Sequence, residues 1–108
     1  MVLRDHSAAH HLYFIAQEAI LNAVKHGRAA LIKVKLEPVG SHGCLLTVRD
    51  DGVGLPGRLP AGPGMGIRII KYRARMIGAT VAIHSSPGGG TEVVCQFIRE
   101  AKPNEALP

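Results

Sequence analysis

The sequence is poor in aromatic residues and cysteines. It has no Trp, two Tyr and two Phe among 108 residues, so its core must be aliphatic. A composition of 46% hydrophobic and 19% charged residues indicates a globular chain rather than a disordered one.

No run approaches the roughly 20 apolar residues of a membrane span, and Met1–Ser7 has no secretory apolar segment. Cys44 and Cys95 lack metal-ligand spacing and are too few for a disulfide framework. We therefore expect a cytoplasmic domain that makes no membrane contact.

Acidic residues are also few. Asp and Glu number 8 against 13 Lys and Arg, which gives a formal charge of +5. A positive field of this size attracts a polyanion such as a nucleotide triphosphate, a nucleic acid or an acidic protein. Few aromatic residues are present to stack bases, so nucleic acid is not expected as a partner.

Two segments carry the apolar spacing of amphipathic helices. Between Ala8 and His26 there is no Gly or Pro, and one helical face is apolar. That face comprises Leu12, Ile15, Ala16, Ala19, Ile20 and Ala23. Gly27 follows where a helix C-cap is preferred. The spacing returns after Gly66 at Ile67, Ile70, Ala74 and Ile77, and Gly78 predicts the end of this second helix.

Four shorter runs predict strands in two hairpins. Leu31–Leu36 and Cys44–Arg49 form the first, and Thr80–His84 and Thr91–Ile98 form the second. Between the hairpins, the Gly- and Pro-rich stretch from Asp51 to Gly66 predicts a long loop, which in a compact domain is usually either a functional lid or disordered. The order predicts an α+β fold, a two-layer sandwich with a mixed, mostly antiparallel sheet and helices on one face. We assign residues 1–101 to this domain and residues 102–108 to a frayed tail.

Polar residues border the apolar face of the first helix. Glu18, Asn22 and Lys25 are spaced to form one stripe, which could hold a metal ion, phosphate oxygens and an attacking water. An ordinary solvated helix face is the alternative. Asp50 ends a strand before Gly52 and Gly54, where the backbone can approach a ligand closely, although a plain turn has the same pattern.

The glycines before the second helix suggest an anion site. The segment Gly64-Met65-Gly66 leads into the exposed N–H groups of the first helical turn. It is not a P-loop, because no Gly-Lys-Ser/Thr follows. It is not the dinucleotide fingerprint either, because position 67 is Ile where that motif needs Gly.

Together these segments resemble the ATP-binding catalytic domain of sensor histidine kinases, which shares a Bergerat-type fold with gyrase B and the mismatch-repair ATPases. The resemblance spans roughly Leu12 to Phe97 and includes four ordered motifs. The residues from Gln17 to Gly27 resemble the asparagine box, particularly as it occurs in nitrate-sensor and LuxR-regulator-linked kinases. The other three are a first glycine box at Asp50–Gly54, a second at Gly64–Gly66, and a closing strand motif at Gly89–Val93.

The resemblance implies a role for each site residue. Asn22 would ligate Mg²⁺, Lys25 and His26 would lie near the phosphates of ATP, and Asp50 would accept a hydrogen bond from the adenine amino group. Glu18 would orient or deprotonate the nucleophile. The remaining nucleotide contacts would come from Gly52, Gly54, Gly64, Met65, Gly66 and Thr91. The γ-phosphate would pass to a histidine on a separate dimerisation domain of the same kinase, and from there to a response regulator.

Three features depart from the family pattern. Asp51 stands where these kinases usually have Asn, the loop is short by the standard of that family and lacks the phenylalanine box of many relatives, and no phosphoacceptor helix precedes the asparagine box. The chain is therefore expected to be an N-terminally truncated domain. Two alternatives stay open: a serine kinase or slow ATPase of the same superfamily, and a module that binds nucleotide only to dock a partner.

Overall fold

The computed structural model describes residues 6–25, 28–53, 65–86 and 88–98. Two helices and four strands follow one another as α1 (His6–Lys25), β1 (Ile32–Val39), β2 (Gly43–Asp50), α2 (Met65–Met76), β3 (Thr80–Ser85) and β4 (Thr91–Phe97). The predicted order of helix, hairpin, helix and hairpin is confirmed. The predicted C-terminal tail and most of the predicted loop lie outside the described residues.

The strands form one sheet in the order β1-β2-β4-β3, and all of its described pairs are antiparallel. β1 continues past the predicted Leu36 and includes Pro38. Proline cannot donate to a neighbouring strand, and it is tolerated here because β1 is the outer strand of the described sheet, where its one described pairing is with β2. The sheet confirms the α+β prediction.

Both helices pack on the same face of the sheet. Alternate residues of the two inner strands are buried, namely Cys44, Leu46 and Val48 on β2 and Val93, Cys95 and Phe97 on β4. They meet the buried helix residues Ala8, Leu12, Ile15, Ala19, Ile70 and Ala74 in one cluster. This aliphatic core follows the period of 3.6 in the helices and of 2 in the strands. It fixes the polar edge of α1 relative to the sheet.

The end of α2 shows how the sequence terminates a helix. Gly78 adopts a φ of 67°, which glycine reaches without the steric cost that a Cβ brings. Its N–H donates to the carbonyl of Arg75 at 3.1 Å, and the N–H of Ala79 donates to that of Ala74 at 2.8 Å. These two bonds are the Schellman pattern, and they confirm Gly78 as the end of the helix.

The two helices are also joined by an aromatic contact. The guanidinium of Arg73 on α2 lies 4.3 Å from the centroid of the Phe14 ring on α1. The same guanidinium is 3.3 Å from Nδ1 of His11. Partial burial, then the charge of Arg73 and then His10 lower the pKa of His11. A neutral His11 therefore suits this contact, which lies in the N-terminal half of α1.

Candidate nucleotide site

Asn22 lies against the first turn of α2. It is half-buried on α1, on the side that faces α2. A Cβ built on Gly66 would stand 2.6 Å from Oδ1 of Asn22 and 2.8 Å from its Nδ2. The amide thus occupies the space that any other residue at position 66 would fill. The fold brings the predicted asparagine box and second glycine box into direct contact.

This contact places an amide oxygen beside a helix N-terminus. α2 begins at Met65, so its first N–H groups have no partner within the helix and carry the positive end of the helix dipole. Anionic groups such as phosphate bind well at such a position. The second amphipathic segment was predicted to begin after Gly66, and Gly66 is instead already helical.

Asp50 is held at the end of an inner strand. Its side chain is on the helix-covered face of β2, and only 9% of the residue is exposed. One carboxylate oxygen, Oδ1, accepts a hydrogen bond from the N–H of Gly52 at 2.8 Å. A buried carboxylate at the end of a strand can accept a hydrogen bond from a ligand, because each of its oxygens has two lone pairs.

The glycine turn before β4 packs against Asp50. Gly90 is buried at a φ of 90°, and a Cβ there would collide with the carbonyl oxygen of Asp50 and lie 2.7 Å from its carbonyl carbon. A Cβ built on Gly89 would lie 3.8 Å from the carbonyl oxygen of Gly52. The β2–β4 pairing ends at Arg49 and Glu92, so Asp50 and Thr91 are the next positions on the two strands. The first glycine box and the closing strand motif therefore meet.

Asp51 makes a contact that the sequence did not reveal. Its Oδ1 accepts hydrogen bonds from the N–H groups of Ala30 and Leu31, both at 2.9 Å, and its own N–H donates to the carbonyl of Leu31 at 3.2 Å. The hydrogen bond from Leu31, followed by that from Ala30, lowers the pKa of this carboxyl despite an opposing effect of desolvation. Asp51 ties the segment after α1 to the end of β2.

This contact explains a departure from the family pattern. The Oδ1 of an asparagine could accept the same two hydrogen bonds as the Oδ1 of Asp51. The two acidic residues at the strand end therefore have different roles. Asp50 is buried toward the helices, whereas Asp51 accepts hydrogen bonds from exposed backbone. The sequence shows Asp51 as a second acidic residue beside Asp50, but it does not show the hydrogen-bond partners of Asp51, which are remote in sequence.

The other predicted site residues are placed as follows. Glu18 is half-buried and Lys25 is exposed, and within the described residues neither makes a hydrogen bond or an ion pair. Thr91 is half-buried at the start of β4. His26, Gly54 and Gly64 lie outside the described residues, and only the helical backbone of Met65 is described.

The structure also shows a buried hydroxyl that the sequence did not single out. Ser86 is 5% exposed, and its Oγ has no hydrogen-bond partner among the described residues. Its N–H donates to the carbonyl of Gly90 at 3.0 Å, which helps to close the turn behind Asp50.

Residues 7–101 match the family described as histidine kinase-, DNA gyrase B- and HSP90-like ATPases. The chain belongs to this family and is an ATP-binding domain of it. It is 36% identical over 98 residues to the nitrate/nitrite sensor protein NarQ of Escherichia coli, a match that covers 89% of this chain and 17% of that protein. It is 32% identical over 87 residues to an uncharacterised sensor-like histidine kinase of Chloroflexus aurantiacus, with coverage of 76% and 15%. The chain thus spans about a sixth of these relatives.

Solved structures support the fold. The ATP-binding domain of PrrB from Mycobacterium tuberculosis superposes with a TM-score of 0.69 at 27% identity, covering 83% of this chain and 68% of that one. The histidine kinase domain of a blue-light-activated kinase from Erythrobacter litoralis gives a TM-score of 0.71 at 23% identity, covering 84% and 44%. The expected Bergerat-type sandwich is confirmed. None of the helices in the described ranges is long and apolar enough to cross a membrane.

Proposed function

We propose that this chain holds ATP with Mg²⁺ and presents the γ-phosphate to a histidine on a separate dimerisation domain of the same kinase. The phosphoryl group then passes to a response regulator in two-component signalling, and this segment works in the cytoplasm. The observation that carries the proposal is the meeting of Asn22 with the N-terminal turn of α2, because it joins a metal-ligand oxygen to an anion site.

The residues at this point fit a nucleotide-bound magnesium ion. Mg²⁺ usually takes one or two protein oxygens and completes its shell with waters and substrate phosphates. Oδ1 of Asn22 supplies such an oxygen beside the helix terminus that would face the phosphates. When bound, the ion would neutralise charge that develops on the phosphate oxygens. We propose that Lys25 and His26 add positive charge near the phosphates, and that Gly64, Met65 and Gly66 cover them.

The adenine would be recognised at the other cluster. Asp50 is fixed by the N–H of Gly52 and by the backbone packing of Gly90, so its carboxylate is preorganised to accept a hydrogen bond from the adenine amino group. Thr91 would reach the base through its hydroxyl or a water, and Gly52 and Gly54 would let the backbone approach it. A guanine has a carbonyl where adenine has its amino group, so a fixed carboxylate acceptor disfavours it.

Glu18 is proposed to act on the nucleophile. It lies one helical turn before Asn22 on α1, and its half-buried carboxylate has no partner among the described residues. From that position it would orient the acceptor histidine or remove its proton as phosphoryl transfer proceeds. Phosphoryl transfer depends mainly on positioning, so a chain that holds ATP without an aligned acceptor should hydrolyse it slowly.

The test is phosphate transfer from γ-labelled ATP. The purified 108-residue chain is incubated with Mg²⁺ and labelled ATP, first alone and then with a separately prepared dimer of acceptor helices. Acid-labile label on the added dimer supports the proposal. Label on serine of an added protein would indicate the serine kinase alternative, and rapid release of phosphate would indicate an ATPase. ATP binding without any transfer would indicate a docking module.

A further inference from the structure

We infer that Gly66 is a positioning residue that sets the orientation of the Asn22 amide. The proposed function has Gly66 cover the triphosphate, and in the structure Gly66 also lies against Asn22. A Cβ at position 66 would lie 2.6, 2.8 and 3.1 Å from Oδ1, Nδ2 and Cγ of that side chain. The effect on metal binding inferred below rests on the proposed function, whereas the geometry of Gly66 and Asn22 is independent of it.

The backbone of Gly66 gives no other reason for glycine. It is part of α2 and is not among the described residues with a positive φ, so an alanine could adopt its conformation. Alanine favours a helix over glycine by up to about 1 kcal/mol. The nearest obstacle to an added Cβ is therefore the Asn22 side chain. Because that obstacle is a side chain rather than backbone, it can rotate away, and the fold should survive the substitution.

The rotation has a chemical consequence at the proposed site. An amide that turns to avoid a new methyl group carries Oδ1 away from its present direction. A metal ion accepts oxygen ligands only within a narrow range of distance, particularly Mg²⁺. Gly66→Ala should thus weaken the Mg²⁺-dependent part of ATP binding.

The first measurement needs no nucleotide. The side-chain amide resonances of Asn22 are assigned in a ¹⁵N–¹H correlation spectrum as the pair that disappears in Asn22→Ala. They should shift in Gly66→Ala and stay in place in Gly78→Ala, a control at the far end of α2 where a Cβ would meet nothing within 4 Å. Unmoved Asn22 resonances in Gly66→Ala would overturn the inference.

The second measurement is a double-mutant cycle read by calorimetry. The gain in ATP affinity on adding Mg²⁺ should fall on the order of tenfold in Gly66→Ala, since hydrogen bonds and ligands to charged groups carry such factors. In an Asn22→Ala background, Gly66→Ala should not change the effect of Mg²⁺ on ATP affinity any further, because the side chain that it displaces is gone. Equal losses in both backgrounds would overturn the inference.

The two measurements separate this inference from the proposed function. If the Asn22 resonances shift in Gly66→Ala but Asn22→Ala leaves the effect of Mg²⁺ intact, Gly66 still orients the amide and the role of Asn22 as a metal ligand is wrong. A thermal melt of each variant checks folding. Gly66→Ala should melt at or above the temperature of the wild type, whereas Gly78→Ala should melt below it because its φ of 67° strains alanine.

Discussion

Replacing Gly90 with alanine should displace Asp50, and Gly88 offers a matched control. Both glycines have a positive φ, 82° at Gly88 and 90° at Gly90. Only Gly90 has close neighbours, because its Cβ would collide with the carbonyl oxygen of Asp50 and lie 3.0 Å from Cα of Asp51. At Gly88 a Cβ would meet nothing within 4 Å. The two substitutions therefore share a positive φ and differ in the collision.

The expected losses in the free energy of unfolding follow from this difference. A left-handed backbone costs an L-residue about 1–2 kcal/mol, and the stiffer unfolded chain returns about 0.4–1 kcal/mol. Gly88→Ala should thus lower the free energy of unfolding by about 1 kcal/mol. Overpacking adds about 1–3 kcal/mol at Gly90, because backbone must move to make room. Gly90→Ala should be the more destabilising variant by that amount.

Urea unfolding measures stability, and calorimetry with ADP and GDP measures the site. Gly90→Ala should lose adenine affinity and lose preference for ADP over GDP, because the shifted carboxylate no longer faces the adenine amino group. Gly88→Ala should keep both. If the two variants lost equal stability and kept equal preference for ADP, Gly90 would not position Asp50. If only stability differed, the collision would be real and the assignment of Asp50 to adenine would be wrong.

Four further predictions test the site and the core. Asp50→Asn should weaken ADP binding roughly 5- to 150-fold, the cost of an unmet buried polar group, and unchanged calorimetric affinity would contradict the adenine contact. Asn22→Ala should abolish the effect of Mg²⁺ on ATP affinity without lowering the melting temperature, since Asn22 is not in the core; a persisting effect would exclude it as a ligand. Asp51 has a lowered pKa, so it stabilises the fold above the ordinary Asp value of about 3.9 and loses this effect as pH falls through the folded value. As the pH is lowered from 7 to 2, the urea midpoint of unfolding should fall less steeply for Asp51→Asn than for the wild type. Parallel curves for the two proteins would refute this. Burial raises the pKa of the Cys44 thiol, and it raises that of Cys95 to about 11. Alkylation at pH 8 should therefore require unfolding and slow down when ADP is added.

The elements and the core were predictable because local signals agree with the packing. The apolar face of α1 was expected at Leu12, Ile15 and Ala19, and these residues are buried. The extension of β1 through Pro38 was not predictable, because the position of a strand in the sheet decides whether it tolerates proline. That position depends on pairings between distant segments.

The candidate site was predictable as a set of residues and not as an arrangement. Motif spacing identified Asn22 and Gly66 separately, but only the α1–α2 packing brings one onto the other. Asp51 stood out in the sequence only as an acidic residue where the family usually has Asn. Its actual partners, the N–H groups of Ala30 and Leu31, come from a segment whose path is set by the sheet.

Two glycines of this site are required for different physical reasons, and neither reason is flexibility. Gly90 combines a positive φ with contact against backbone, so no L-side chain fits without moving Asp50. Gly66 is helical without a positive φ, and the atoms nearest to an added Cβ belong to the Asn22 side chain, so an alanine fits once Asn22 turns away. Substitution at Gly90 should therefore affect stability and base recognition together, whereas substitution at Gly66 should affect metal dependence and leave stability intact. The two halves of the proposed nucleotide site can thus be perturbed independently through these two glycines.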